Sequence, residues 1–215
     1  MADHPCLVVI VRTVGRSTLG RALQSIAEQT LLPAEQAALV VIVVDALGRG
    51  LQLPDTQPSL NVQVIGRGAP LDRALAAQAG LETAQAQCPG SWALFLDDDD
   101  ELLPDHLPKL SQAMRDHPHA VGAHTGVVQV QPADTPGGAR LGVEERARFD
   151  RRFDPWELLA CNHLPIHSVM FDTSRVCSAG VRFDAQFDVF EDWDFWLQVQ
   201  RVGDLIHVPG VSARY

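Results

Sequence analysis

The chain has 215 residues, a hydrophobic fraction of 46% and a formal net charge of -10 at pH 7, which fits one large domain with a substantial core. The acidic balance argues against a general nucleic-acid binder, because few Lys and Arg side chains remain to neutralise phosphates. No apolar run approaches the roughly 20 residues of a membrane-spanning helix, and the N-terminus lacks signal-peptide features, so we expect a soluble, cytoplasmic protein.

The first half of the chain predicts four strands and two helices. Continuous β-branched runs are typical of strands that are covered on both faces. The predicted strands are 6–11, Leu39–Asp45, Asn61–Ile65 and Trp92–Asp97. One helix is predicted after Ser17 or Thr18 from the spacing of Leu19, Leu23 and Ile26, and the other over the Ala-rich segment 71–85.

This order of elements predicts an α/β fold with a mainly parallel, Rossmann-like central sheet flanked by helices. In such sheets, ligands bind at the carboxyl ends of the strands. The prediction therefore places Thr13, Asp45 and the aspartate run 97–100 at one edge of the sheet. Polar groups from three separate strand ends at one crevice indicate a binding site.

The second half of the chain is less regular. Helices are predicted over 103–118, entered through Pro104, and over 192–203, with strands over 120–131 and 167–172. The Gly- and Pro-rich segment 132–142 predicts a mobile loop. The segment 144–155 mixes charges of both signs and predicts a solvated loop, and Trp156 is expected in the core.

The aspartate run follows directly on an apolar strand. Because strand side chains alternate, Asp97 and Asp99 are predicted to point to the same side. Hard oxygen ligands of this kind suit Mg²⁺ or Mn²⁺, particularly with a substrate diphosphate. The alternative is a solvated acidic turn followed by acids that cap the next helix. The position at a strand end favours a cation site, with Asp100 and Glu101 leading into the next helix.

A second acidic cluster, "FDVFEDWDFWLQV", contains Glu191 and Asp192 among several aromatic residues. A carboxylate packed against aromatic rings has a raised proton affinity, which suits a general base. The alternative is that Asp192 caps the N-terminus of an amphipathic core helix. Taken alone, this cluster leaves the two interpretations equally supported.

Other enzyme classes that use such carboxylates fit the sequence less well. A phosphatase with an aspartyl nucleophile would carry Thr or Val where Glu101 stands. A nucleotidyltransferase would have a Gly-rich, Lys-containing loop after the first strand, and "RTVGRSTLGR" has only scattered glycines. "GRGLQL" begins like a dinucleotide-binding G-x-G-x-x-G motif, but Leu53 stands at the last glycine.

The ordered motifs together resemble the family 2 glycosyltransferases, whose fold is called GT-A. "VVIVRTVGRSTLGRALQSIAEQT" resembles the family's opening strand and helix, and "VIVVDALG" stands where the family has "VIVVDDGS". "ALFLDDDDELLPDHL" resembles the D-x-D strand and the helix after it. The segment from "NHLPIHSVMFD" to "EDWDFWLQVQRVG" resembles the acceptor side and its E-D motif.

The resemblance implies a single GT-A domain over 1–215, with a nucleotide-sugar-binding half, 1–105, and an acceptor-side half, 106–215. It implies an inverting transferase that moves a sugar from a nucleoside-diphosphate sugar to a hydroxyl, with Mn²⁺ or Mg²⁺. The acceptor is left open as a glycan, a lipid-linked molecule or a small molecule, and so are a homodimer and a peripheral position at the inner face of the membrane.

The resemblance also assigns roles to residues. Asp192 is the implied catalytic base, and Glu191 orients it or shapes the acceptor pocket. Asp97 and Asp99 are the implied metal ligands, with Asp99 the main one. The residues implied to bind the nucleotide sugar are Thr13, Gly15, Asp45, Arg73, Asp97 and Asp98, with Asp98 as a ribose contact.

Departures from the family pattern keep other functions open. Ala46 replaces an acid that commonly contacts the nucleotide base, Gln78 replaces an asparagine, and Arg12 stands where a proline is common. Ala46 motivates the alternative of a non-catalytic domain that binds a sugar nucleotide or glycan on the same fold. A different Mg²⁺-dependent phosphotransfer enzyme is the third hypothesis.

Overall fold

The computed structural model describes residues 5–53, 60–132 and 143–215. Within these ranges, nine strands form one sheet that carries helices on both faces. The strands are Leu7–Thr13 (β1), Leu39–Asp45 (β2), Asn61–Ile65 (β3), Trp92–Asp97 (β4), Glu101–Leu102 (β5), Gly122–Pro132 (β6), Val143–Phe149 (β7), Val169–Asp172 (β8) and Leu205–Arg214 (β9). The helices are Leu19–Ala27 (α1), Pro33–Ala37 (α2), Arg73–Gln87 (α3), His106–Asp116 (α4), Pro155–Ala160 (α5), Thr173–Ser178 (α6) and Glu191–Val199 (α7).

The sheet has the order β3-β2-β1-β4-β8-β6-β9-β5, with β7 paired to β6. Its first four strands run parallel, with α1 and α2 between β1 and β2 and α3 between β3 and β4. Beyond β4 the sheet is mixed: β8 joins β4 to β6 in antiparallel pairs, and β6 pairs in parallel with β9. The predicted α/β architecture is confirmed, and the four strands that the apolar runs predicted form one parallel part of the sheet.

Alternation along β1 produces the two halves of the core. Val8 and Ile10 pack against α3 on one face of the sheet, together with α6 and α7. Leu7, Val9 and Val11 pack against α1 and α4 on the other face. Since β1 is covered on both faces, every one of its residues is buried, which explains the unbroken apolar run 7–11 before Arg12 and Thr13.

The long helices begin close to their predicted starts. Thr18 is the N-cap residue of α1, although its side chain makes no capping hydrogen bond. Asp72 caps α3 by accepting a hydrogen bond from the Leu75 N–H at 2.7 Å. Among the residues described, no helix is both long and apolar enough to cross a bilayer.

Three predictions for the second half are corrected. Most of 144–155 is not a loop, because Val143–Phe149 pairs with β6 as an edge strand, where charged side chains are common. Trp156 is 79% exposed rather than part of the core, because it lies on the outer face of the short helix α5. Asp100 and Glu101 do not lead directly into a helix, since Glu101–Leu102 forms β5 against β9. The predicted loop 132–142 lies, from residue 133, outside the described residues.

The close packing of α3 on β1 depends on Gly80. A Cβ atom added at Gly80 would lie 2.2 Å from Ile10 Cγ2 and 3.2 Å from Val44 Cγ2. In an exposed helix, replacing Gly by Ala stabilises by about 0.5–1 kcal/mol. At this position the sign reverses, because the methyl group would force the helix away from the sheet.

We predict that Gly80→Ala lowers the free energy of unfolding by about 1–3 kcal/mol, the usual effect of overpacking. Urea denaturation measures the change. Gly66→Ala is the matched control, because its nearest neighbouring atom would be 3.7 Å away, and its stability should stay close to that of the parent chain. An unchanged midpoint for Gly80→Ala would show that α3 has room to shift.

Candidate active site

The carboxyl ends of β1, β2 and β4 lie side by side. In the parallel register, Thr13 is the partner of Asp45 and Arg12 is the partner of Asp97. The predicted convergence of these strand ends is therefore confirmed. A cavity of about 100 Å³ opens at this edge, with Thr13, Ala46, Arg73 and Asp97 among its lining residues.

Asp97 is held by the fork of the Arg12 guanidinium. Arg12 Nε donates to Asp97 Oδ1 at 2.7 Å, and Nη2 donates to Oδ2 at 2.8 Å. Arg73 Nη2 lies 3.6 Å from the same carboxylate. Burial alone would raise the pKa of Asp97, but the charge and hydrogen bonds of Arg12 lower it overall. Both oxygens of Asp97 thus already have protein donors.

Glu191 joins the same charge cluster from the start of α7. Its Oε1 accepts hydrogen bonds from Arg12 Nη1 at 2.9 Å and from Arg73 Nε at 2.8 Å. The side chain is 1% exposed. Burial alone would raise the pKa of Glu191, yet the two arginines lower it, so the carboxylate is held in its ionised form. The two acidic motifs of the sequence therefore meet through arginine.

Asp98 faces the protein interior and supports the turn after β1. It is completely buried and accepts hydrogen bonds from the Thr13 hydroxyl and from Arg16 Nη1, each at 2.5 Å. The Val14 N–H also donates to it at 3.2 Å, and the Gly15 N–H donates to Thr13 Oγ1 at 2.8 Å. Thr13, Gly15 and Asp98 are thus brought together, as a scaffold for the turn. Contact of Asp98 with a ribose stays a prediction.

Asp45 organises the loop that follows β2. Its Oδ1 accepts from the N–H groups of Leu47 and Gly48, each at 3.1 Å. Its Oδ2 accepts from those of Gly50 and Leu51 at 3.0 and 3.1 Å. Gly48 has φ +62°, and a Cβ atom there would lie 2.8 Å from the Ala69 nitrogen, so the loop requires glycine. The Asp45 carboxylate is occupied by the loop backbone.

Asp99 has the most open carboxylate of the run. Its side chain is 48% exposed, and Arg16 Nη1 lies 3.5 Å from it. Burial and the neighbouring Asp100 raise the pKa of Asp99, although Arg16 opposes the shift. Asp100 instead contacts His167 Nδ1 at 2.9 Å.

The prediction that Asp97 and Asp99 point to the same side is wrong. It assumed strand alternation, but β4 ends at Asp97 and the following residues form a turn. Asp97 lines the 100 Å³ cavity, whereas Asp99 lines a second cavity of about 380 Å³ beside Arg214 and Tyr215. Among the described residues, no group of three His, Cys, Asp or Glu side chains is placed to hold a metal ion.

Asp192 follows Glu191 in the first turn of α7 and has a different environment. Asn162 Nδ2 donates to its Oδ2 at 3.1 Å, and the Trp193 N–H donates to its Oδ1 at 2.8 Å. Burial and the negative charge of Glu191 raise the pKa of Asp192. This carboxylate is chemically suited to take a proton. Asn162 was not predicted as a site residue.

The backbone is strained where the chain enters α7. Phe190 has φ +68°, and among the described residues it is the one non-glycine residue with positive φ. Its ring is 59% exposed and lies 5.9 Å from the Trp193 ring in an edge-to-face arrangement. Strain at a bulky, exposed residue is typical of functional sites rather than of stable packing.

The comparison with family models settles the assignment. The model described as Glycosyl transferase family 2 matches residues 6–163. This span includes the carboxyl ends of β1, β2 and β4, together with Asp97 and Asp99, which line the two cavities. The chain belongs to glycosyl transferase family 2. The chain is a glycosyltransferase of that family, as the resemblance of its motifs implied.

Relatives agree with this assignment. An uncharacterized glycosyltransferase of Bacillus subtilis (strain 168), YwdF, is 26% identical over 208 residues, which are 97% of this chain and 72% of YwdF. The crystal structure of S. aureus TarS matches with a TM-score of 0.70 at 17% identity, over 97% of this chain and 36% of TarS. The crystal structure of S. aureus TarS 1-349 in complex with UDP-GlcNAc matches with a TM-score of 0.68 at 15% identity. The match covers 97% of this chain and 58% of TarS 1-349. These structures confirm the expected GT-A fold, and the chain spans 36% and 58% of their lengths, less than two thirds of either.

We predict that Asp45→Asn destabilises the chain by about 1–3 kcal/mol, because the amide would turn a donor toward two of the loop N–H groups. Thermal unfolding measures the loss. Gly48→Ala should destabilise the same loop, because its Cβ atom would lie 2.8 Å from the Ala69 nitrogen. An unchanged unfolding temperature in both variants would contradict the role of Asp45 in organising the loop.

Proposed function

We propose that the chain transfers a sugar from a nucleoside-diphosphate sugar to an acceptor hydroxyl, with inversion at the anomeric carbon. The observation that carries this proposal is the juxtaposition of two acidic motifs. The strand-end cluster of Asp97 meets the first turn of α7, where Asp192 has a raised proton affinity. A donor-binding edge and a base are thereby adjacent.

The donor binds at the strand ends under this proposal. The 100 Å³ cavity is lined by guanidinium groups, including the half-exposed Arg73, whose planar donors suit phosphate and polar base atoms. The TarS structure with UDP-GlcNAc, a nucleotide sugar, supports a donor of this class on the same fold. Ala46 lines the cavity in place of an acid, so the base is recognised by other groups.

A divalent cation fits the site if one carboxylate holds it together with the phosphates of the substrate. Mg²⁺ is commonly held by one or two carboxylates together with substrate phosphates and water. Asp99 has the exposure for that role, while Asp97 is bound at both oxygens by Arg12. When bound, the ion would stabilise the negative charge that develops on the leaving diphosphate. Arg16, beside Asp99, adds a second positive charge to the same region.

The acceptor hydroxyl is a poor nucleophile until a base removes its proton. Asp192 receives that proton as the oxygen attacks the anomeric carbon and the bond to the diphosphate breaks. One base and one direct displacement invert the configuration. Asn162 holds the Asp192 carboxylate through Oδ2, which orients the carboxylate toward the acceptor.

The test is a panel of nucleoside-diphosphate sugars of different bases, assayed by thermal shift and by release of the nucleoside diphosphate, with and without Mn²⁺. We expect one nucleotide class to stabilise the chain by about 2.7 kcal/mol at a hundredfold excess over Kd, and to be turned over. Asp99→Asn should lose the Mn²⁺-dependent part of the stabilisation. The control Asp116→Asn removes an exposed carboxylate of α4 and should behave as the parent.

Each outcome of this panel has a separate meaning. Stabilisation without release of the diphosphate on any acceptor would favour a non-catalytic binding domain, which the sequestered Asp45 and Asp97 carboxylates would also suit. No response to any nucleotide would contradict both functions. An Mn²⁺ response that survives in Asp99→Asn would place the metal elsewhere.

Asp192 should set the acid limb of the pH–rate profile. Only the ionised form accepts a proton, so the rate falls as pH drops through the pKa of Asp192, which burial and Glu191 raise. Asp192→Asn should lower kcat by about 10²–10⁴-fold with UDP affinity kept.

Asn162→Ala should move the acid limb of kcat to higher pH, because the lost hydrogen bond favours the ionised carboxylate of Asp192. Asp194→Asn, in the same helical turn, is the control and should leave the limb in place. A profile that Asn162→Ala does not shift would argue that Asp192 is not the titrating base.

A further inference from the structure

Arg12 lies at the end of the central strand β1, beside Asp97 of β4. Its side chain is 6% exposed, and four hydrogen bonds leave its guanidinium. Two of them go to Asp97, one to Glu191, and one at 3.4 Å to the carbonyl oxygen of Arg73. An arginine this deeply buried is rare unless its charge is paired on several sides.

The geometry requires an arginine rather than any cation. The fork of Nε and Nη2 binds both oxygens of Asp97, while Nη1 points the other way, to Glu191 at 2.9 Å. A lysine ammonium is a point charge and cannot span both carboxylates with this geometry. Both Arg12 and Arg73 line the open cavity and share Glu191, but Arg73 is 59% exposed whereas Arg12 is 6% exposed.

We propose that Arg12 is a positioning residue that fixes the start of α7 to the donor-side strands, by holding Asp97 and Glu191 on opposite sides of one guanidinium. Glu191 is the first residue of α7, so the contact anchors the turn that carries Asp192. The strained backbone at Phe190 immediately precedes this turn and contacts it through one backbone hydrogen bond, from the Asp194 N–H to the Phe190 carbonyl oxygen at 3.0 Å. The inference rests on the proposed role of Asp192 as the base.

Hydrogen exchange tests the anchor without any assay of activity. In Arg12→Lys, amide exchange in the first turn of α7, Asp192 to Phe195, should rise at least tenfold, while that of α1 and α4 stays unchanged. Glu191→Gln cuts the same link, together with the ion pair of Glu191 and Arg73, and leaves the pair of Arg12 with Asp97, so it should have at least the same local effect. If Arg12→Lys does not fold, the exchange measured in Glu191→Gln tests the anchor instead.

Arg115→Lys is the matched control. Arg115 pairs at 2.6 Å with Glu35, which is 4% exposed, on the far side of the sheet from α7. This variant weakens a buried arginine–glutamate pair and should leave exchange in α7 as it is. Unaltered exchange in α7 for both Arg12→Lys and Glu191→Gln would overturn the proposal, and so would an equal rise in every helix.

Turnover adds a second readout. With the nucleotide sugar from which the parent chain releases diphosphate, Arg12→Lys should lower kcat about 100-fold, as expected for a displacement of ~1 Å, with the affinity for the nucleoside diphosphate of that donor changed less than threefold. The losses in Arg12→Lys and Glu191→Gln should add only in part, since both break one shared link and Glu191→Gln also removes the contact with Arg73. Fully additive losses, or lost nucleotide affinity with kcat kept, would overturn the positioning role. A parent chain that releases no diphosphate would refute the proposed function alone, because hydrogen exchange still tests the anchor.

Discussion

Burial of carboxylates is the constraint on which this site depends. The acids at the ends of β2 and β4 are withdrawn from water, and a buried charge is tolerated only with partners. Backbone N–H groups serve Asp45, a guanidinium serves Asp97, and the turn after β1 serves Asp98. Asp99, half exposed, is left with the weakest protein contact. The protein thus uses most of its acidic edge for its own architecture and leaves one carboxylate open to a ligand.

The central strands were predictable because their environment is uniform. A parallel strand with helices on both faces is apolar along nearly its whole length, and β2 and β4 have the predicted bounds. The second half of the chain follows weaker rules. The edge strand β7 carries charges of both signs, a pattern that predicted a loop. β5 has only two residues, too few for a periodic pattern. These strands form because they pair with other strands, β5 with β9 and β7 with β6, and not because of a local sequence pattern.

The site was predictable in its membership more than in its contacts. The order of motifs placed Thr13, Asp45 and the aspartate run together, since parallel strands share a carboxyl edge. The hydrogen-bond donor that pairs with each carboxylate depends on packing between elements that are distant in the sequence, such as β1 and α7. Arg12 carried a signal nonetheless: a charge at the end of a fully apolar strand implies a buried partner. Asn162 carried none, because an isolated polar residue in a loop has many uses.

The contrast between Glu191 and Asp192 assigns their chemistry. The two residues are adjacent, yet two arginines lower the pKa of Glu191, whereas burial and the charge of Glu191 itself raise that of Asp192. When their environments shift the pKa values of two neighbouring carboxyl groups in opposite directions, the group with the raised pKa is the one suited to exchange protons. Under the proposed function, Glu191 then has two roles: it fastens α7 to the sheet through Arg12, and its charge raises the proton affinity of the proposed base. Structural anchoring and chemical activation would then depend on the same buried ion pair.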